Sequence, residues 1–109
     1  MELIKQLPIL YKKQGNNIVE NKFFVYKDGN DSFVCRIFKG KIGESSKNIP
    51  QDFIVTMDGA FCERQAERTW NMKKEMEGYK TLKDIGLGKD EVWKALSKED
   101  KINLINEKL

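Results

Sequence analysis

Two pairs of carboxylates in this 109-residue sequence have a spacing that acid–base or metal chemistry could use. Glu63 and Glu67 are one helical turn apart in "ERQAER", and Asp52 and Asp58 lie close together before them. A two-metal or acid–base site would need such groups to converge in a pocket. The arginines beside the two glutamates favour another interpretation, an ion-paired and solvated helix face. We therefore expect no catalysis at these carboxylates.

The residue types that are missing exclude further chemistries. The chain has no histidine, which removes the commonest general base, the commonest zinc ligand and every Ser-His or Cys-His nucleophile pair. Cys35 and Cys62 form no CxxC motif and are predicted to be reduced core residues. The loop "KGKIGESSK" lacks the G-x-x-x-x-G-K-[ST] order of a phosphate-binding loop. We expect a non-catalytic protein without a metal or cofactor.

The chain shows neither a secretory signal nor a membrane span. "MELIKQLPILYKKQ" lacks a basic start followed by an apolar stretch and a small-residue cleavage site. No apolar run approaches the roughly 18 residues that a membrane-spanning helix needs. With 39% hydrophobic and 34% charged residues, the composition is globular. We expect a cytoplasmic protein that does not contact membranes.

The elements that would position functional side chains begin with a β-hairpin. Residues 18–27 and 32–39 are rich in aromatic and β-branched side chains and flank "DGND". A turn of two or four residues places alternate side chains on two faces. Each face is then substantially apolar, so we expect both to be covered, by this chain or by a partner. The predicted faces are Ile18, Lys22, Phe24, Tyr26, Phe33, Cys35 and Ile37, opposite Val19, Phe23, Val25, Val34, Arg36 and Phe38.

A third strand and a long helix are predicted after the hairpin. Residues 52–57 alternate as a strand does, and Asp58 can cap a helix that runs to about Glu77 and stops at Gly78. At about 100° per residue the apolar side chains of this helix fall on one half of its surface. We expect that half to lie on the sheet. Its members are Phe61, Cys62, Ala66, Thr69, Trp70, Met72, Met76 and Tyr79.

The last third of the chain is predicted to be helical. Residues 90–96 indicate a short helix, and "SKED" from Ser97 has the pattern of a capping box. Ile102, Ile105 and Leu109 then recur on one face of a final helix.

The predicted fold is α+β: a three-stranded antiparallel sheet packed by one long amphipathic helix, with a C-terminal helical segment. Residues 1–109 form a single domain, with the sheet and helix in 18–78 and the helical segment in 79–109. The first 14 residues are either a helix or an extended arm, and Pro8 argues against an unbroken helix.

Residues 82–96, "LKDIGLGKDEVWKAL", resemble the turn and second helix of a helix-turn-helix. An apolar residue and a glycine would close the first helix, and a valine and a leucine four residues apart would anchor the second. Leu82 departs from this pattern, which usually has a small residue there. Asp90 and Glu91 place carboxylates where phosphates would be contacted. We expect the segment to pack, and DNA reading is the alternative.

Basic side chains are concentrated in the first half of the chain. Residues 1–50 hold nine Lys/Arg and five Asp/Glu, whereas residues 51–109 hold eleven and twelve. A basic half could meet an acidic protein or nucleic acid, and the alternative is a solvated strand surface. We predict that the hairpin and the loop after it contact a partner. The predicted contact residues are Lys22, Lys27, Arg36, Lys39, Lys41 and Lys47.

Aromatic residues are interleaved with these cations. Exposed rings on a basic strand surface can stack the bases of single-stranded nucleic acid. We favour a place in the core for these rings, because helices are predicted to cover the sheet. The rings are Phe23, Phe24, Tyr26, Phe33 and Phe38.

Together these features predict a non-catalytic binding protein. A small, histidine-free chain rich in lysine, asparagine and isoleucine resembles phage or mobile-element accessory proteins. Many of those inhibit or modulate a host protein or nuclease complex stoichiometrically, in the style of anti-CRISPR proteins. The expected partner is a host protein or nucleoprotein complex with an acidic surface. The alternative is a nucleic-acid-binding module that uses the basic hairpin or the segment 82–96.

Overall fold

The computed structural model describes residues 1–30, 32–42, 49–87 and 96–109. Within these residues the chain is α+β, with a five-stranded antiparallel sheet and two helices. The predicted class, the three predicted strands and the long helix are present, and two further strands precede them. The elements are β1 (Glu2–Gln6), β2 (Leu10–Gln14), β3 (Asn17–Asp28), β4 (Ser32–Lys41), β5 (Ile49–Thr56), α1 (Gly59–Met76) and α2 (Lys98–Lys108).

The sheet is built around β3, which is 12 residues long. On one edge, the C-terminal half of β3 pairs with β1 and its N-terminal half pairs with β2, so β1 and β2 lie end to end. The chain leaves the sheet between them at Pro8, which has no N–H for a strand ladder. On the other edge β3 pairs with β4, and β4 pairs with β5.

The strands β1 and β2 are the part of the sheet that the sequence does not predict. The extended alternative for the first 14 residues is therefore correct and the helical one is wrong. A signal was present: Gln14 pairs with Asn17, so Gly15 and Asn16 form a two-residue connection, and Gly15 has a φ of +60°. Gly-Asn between two strand-like runs is a hairpin signal. The run before it is short and rich in lysine, which weakens that signal.

The connection between β3 and β4 decides which side chains share a face. Asp28 pairs with Ser32, so the two strands are three residues apart in the chain, in place of the two or four predicted. Phe24 then lies opposite Arg36, and the predicted grouping of β3 with β4 residues is wrong. One face, here called the helix-covered face, carries Phe23, Val25, Phe33, Cys35 and Ile37. The other, here called the aromatic face, carries Ile18, Lys22, Phe24, Tyr26, Val34, Arg36 and Phe38.

The helix α1 packs on the helix-covered face. Cys62 and Ala66 are fully buried, and Trp70 is partly buried against the same core. These three positions are spaced by four residues, so they form one narrow stripe along the helix. The predicted apolar half is therefore too wide. The exposed members are Phe61, Met72 and Met76.

The ends of α1 are where the sequence predicts them. The Asp58 side chain accepts a hydrogen bond of 3.1 Å from a backbone N–H in the first turn. Gly78, with a φ of +78°, reverses the chain after the helix. Tyr79 then enters the core, and Lys80 forms an isolated antiparallel bridge with Tyr11. The chain thereby returns to the free edge of β2.

The segment predicted to close the first helix of a helix-turn-helix is a single capped turn. The Thr81 N–H donates to Asp84 Oδ2 at 3.0 Å, and the Asp84 N–H donates to Thr81 Oγ1 at 3.1 Å. Gly86, with a φ of +78°, ends the turn. The prediction of a helix before Gly86 is wrong. The two hydrogen bonds between Thr81 and Asp84 stabilise a single turn over residues 82–86, and no helix forms there. The predicted helix over 90–96 falls largely on 88–95, which lie outside the described residues.

The helix α2 covers one end of the aromatic face. Its N-cap is Ser97, as predicted, and the Ser97 Oγ accepts a hydrogen bond of 3.2 Å from the N–H of Asp100. Ile105 is fully buried, so the predicted apolar spacing is confirmed. The core around it includes Tyr11, Ile18, Ile102 and Leu109.

Candidate functional site

Three aromatic rings meet on the aromatic face, away from the end that α2 covers. The ring centres of Phe24 and Tyr26 are 5.9 Å apart, with 27° between the ring planes. Phe38 meets Phe24 edge-on, at 5.5 Å and 88°. The three rings are half-buried and contact one another across β3 and β4. They form a patch of aromatic surface on the sheet.

The prediction that all five hairpin rings are core residues is only partly correct. Phe23 is fully buried, and Phe33 packs against the core beneath α1. In the described part of the chain, the other three rings belong to neither of the two buried clusters. The three-residue connection explains this division, because it turns Phe38 to the same side as Phe24.

Two cationic side chains lie on the same face as these rings. The Arg36 guanidinium is 5.7 Å from the centre of the Tyr26 ring, which is a cation–π distance. Lys22 pairs in register with Phe38. Its Nζ is 3.6 Å from Glu20 Oε1, and the Glu20 side chain is buried. The site therefore places Arg36 and Lys22 beside the rings, with the charge of Lys22 offset by Glu20.

The sheet separates the predicted contact residues into two groups. Lys22 and Arg36 share the aromatic face with the rings. By strand alternation, Lys27, Lys39 and Lys41 occupy positions of the opposite face, towards the strand ends. Lys39 and Lys41 are exposed and Lys27 is half-buried. Lys47 lies outside the described residues.

Two of the four carboxylates considered for catalysis, Glu67 and Asp58, take part in structural bonds. Glu67 Oε1 accepts a hydrogen bond from Lys5 Nζ, which joins α1 to β1. That bond raises the pKa of the Lys5 amine above its ordinary value. Asp58 caps α1. Among the residues that the structure describes, no group of three or more His, Cys, Asp or Glu could hold a metal ion.

A second cationic site is one that the sequence does not predict. Four lysines line a cleft of about 460 Å³ at the free edge of β2. It cannot be predicted from the sequence, because the four lysines come from three segments that are far apart in the chain. They are Lys12 and Lys13 of β2, Lys80 after α1, and Lys108 of α2.

Known proteins provide no guide to either site. No protein family, curated protein or solved structure matches the chain. In the described part of the chain, none of the helices has the length and apolar character needed to cross a membrane.

Proposed function

We propose that the protein is a non-catalytic binding module that holds single-stranded nucleic acid on its aromatic face. The observation that supports this most is the joint placement of Phe24, Tyr26 and Phe38 beside Arg36 and Lys22. Each aromatic ring that stacks a base contributes about 1–3 kcal/mol, with little dependence on sequence. Arg36 would be the main contact for backbone phosphates, because Glu20 offsets the charge of Lys22.

The separation of these rings from the core supports a binding role. The helix-covered face has its own aromatic and aliphatic core, built on Phe23 and Val25. The core around Ile105 is at the other end of the sheet. The rings are held by the backbone pairing of β3 with β4, so their spacing is fixed before any ligand arrives. A preformed platform binds without the cost of ordering a loop.

A second candidate function is that of a stoichiometric modulator of a host protein or nuclease complex with an acidic surface. The observation that favours it is a run of exposed apolar side chains from the end of β5 to the start of α1. Val55 is 70% exposed, Met57 is 79% exposed and Phe61 is 41% exposed. Exposed apolar surface of this kind is typical of protein contact sites.

The first proposal is tested by fluorescence anisotropy with a labelled single-stranded oligonucleotide of mixed sequence. The double variant Phe24→Leu/Phe38→Leu keeps apolar side chains but removes two stacking rings. It should weaken binding by roughly tenfold or more, since about 1.4 kcal/mol corresponds to a factor of ten. Phe61→Leu, which removes an exposed ring elsewhere, is the matched control and should bind as the wild type does. Equal binding by the double variant and the control would refute the proposal.

Salt dependence and a protein capture experiment separate the two candidates. If phosphates are contacted, Arg36→Gln should lower both the affinity for the oligonucleotide and the slope of that affinity with salt. The modulator proposal instead predicts that a protein is captured from a bacterial lysate after nuclease treatment. That capture should be lost with Val55→Asp/Met57→Asp and kept with Phe24→Leu/Phe38→Leu.

A further inference from the structure

The cleft at the free edge of β2 brings together three segments that are far apart in the chain. Lys80 is fixed by two backbone hydrogen bonds with Tyr11, each 2.8 Å long. Lys12 and Lys13 follow directly on β2, and Lys108 arrives at the end of α2. The backbone positions of all four lysines are therefore set by the sheet and by the buried face of α2.

Most of this positive charge is not neutralised within the described residues. The Lys12 ammonium lies 5.5 Å from the centre of the Tyr79 ring. Lys13, Lys80 and Lys108 form no ion pair with any other residue that the structure describes. Four like charges around one cleft repel each other, and an anion between them would relieve that repulsion.

Asp84, an acidic side chain that lines this cleft, is already bonded to other partners. Asp84 Oδ2 accepts a hydrogen bond of 3.0 Å from the Thr81 N–H and lies 3.1 Å from Lys74 Nζ. The Thr81 backbone hydrogen bond, followed by Lys74, lowers the pKa of Asp84. The charge of Asp84 is balanced by Lys74, which does not line the cleft. Asp84 is therefore not available to neutralise the four lysines of the cleft.

We infer that this cleft binds phosphate groups through Lys12, Lys13, Lys80 and Lys108. Phosphate has several acceptor oxygens and more than one negative charge, so a single group can accept from several ammonium donors. The phosphates would belong either to a nucleic-acid backbone or to a free polyphosphate. The site is separate from the aromatic face, and its occupancy does not require the proposed stacking of bases.

The probe for this site is inorganic tripolyphosphate, which carries phosphates and no bases. Isothermal titration calorimetry at low ionic strength should show saturable binding to the wild type, and the melting temperature should rise with added ligand. Lys80→Gln/Lys108→Gln should weaken this binding by roughly tenfold or more, because each substitution removes a charge-assisted hydrogen bond from an ammonium group to a phosphate oxygen. The matched control is Lys83→Gln/Lys98→Gln, which removes the same charge from lysines outside the cleft. The control should bind nearly as tightly as the wild type.

Two further titrations identify the source of the phosphate. If tripolyphosphate and the Lys80/Lys108 variant both reduce oligonucleotide binding, the cleft holds the nucleic-acid backbone. If tripolyphosphate binds but oligonucleotide binding responds to neither change, the ligand is a free polyphosphate. Phe24→Leu/Phe38→Leu should bind tripolyphosphate as the wild type does, so failure of the aromatic site would be visible separately. Absence of saturable tripolyphosphate binding, or an equal loss in the control, would overturn the inference.

Discussion

Replacing Asn21 by leucine is expected to stabilise the protein. Asn21 lies within β3, between Leu10 on one neighbouring strand and Lys39 on the other. It is fully buried, at 0% exposure. Within the described part of the chain, neither Nδ2 nor Oδ1 of Asn21 has a hydrogen-bond partner. The amide has therefore lost its water without gaining a partner.

The size of the effect follows from that missing partner. A buried polar group without a hydrogen bond costs about 1–3 kcal/mol. Leucine branches at the same carbon as asparagine, so it replaces Oδ1 and Nδ2 by two methyl groups in nearly the same space. Repacking for the slightly larger side chain costs less than about 1.5 kcal/mol. The free energy of unfolding should rise by about 1–2 kcal/mol, and the melting temperature by about 4–8 °C for each kcal/mol.

Urea denaturation followed by circular dichroism measures this change. The matched control is Asn17→Leu, an exposed position at the start of the same strand. Its effect should stay within about 0.5 kcal/mol. A loss of stability in Asn21→Leu would refute the reasoning, because it would show that the buried amide makes a favourable interaction.

Four other perturbations have expected outcomes. Trp70→Phe removes the indole N–H that donates to the Pro8 carbonyl at 2.8 Å, and should cost about 1 kcal/mol in urea denaturation. Trp70→Ala should cost about 3 kcal/mol, since the ring packs on the core. Burial raises the pKa of the Tyr11 hydroxyl, so this group ionises at lower pH in the unfolded chain than in the folded protein. The free energy of unfolding should therefore fall as pH rises above about 10, and it should fall less steeply in Tyr11→Phe. Cys35 and Cys62 are buried thiols, and burial raises the pKa of Cys62, so a thiol reagent should modify them only as the protein unfolds.

Three of these outcomes have a contrary result that is equally clear. Unchanged stability in Trp70→Phe would show that the indole hydrogen bond contributes nothing. A Tyr11→Phe variant with the pH dependence of the wild type would remove Tyr11 as the cause of alkaline destabilisation. Rapid thiol modification under native conditions, at the same rate with and without low urea, would contradict the burial of Cys35 and Cys62.

The parts of the fold that the sequence predicts correctly depend on local chemistry. Asp58, Gly78 and Ser97 mark helix ends, because capping involves only backbone groups within a few residues. The face assignment failed for a different reason. "DGND" is compatible with connections of two, three or four residues, and a change of one residue moves Arg36 and Phe38 to the other side of the sheet.

The candidate sites show the same limit. Lys22, Arg36 and the rings could be named as contact residues from their types, but their common face depends on the register of β3 with β4. The lysine-lined cleft could not be predicted from the sequence. In the sequence, Lys12 belongs to the basic half of the chain and Lys108 to the nearly neutral half. In the fold, they line the same cleft as Lys80, which pairs with the free edge of β2.

The pairing of β3 with three other strands has a consequence for the order of folding. The connections from β2 to β3 and from β3 to β4 are only two and three residues long, so these hairpins close with little loss of chain entropy. β1 differs, because it pairs with the far half of β3 and is tied to α1 through Lys5 and Glu67. We therefore expect β1 to be among the last strands to join the sheet during folding.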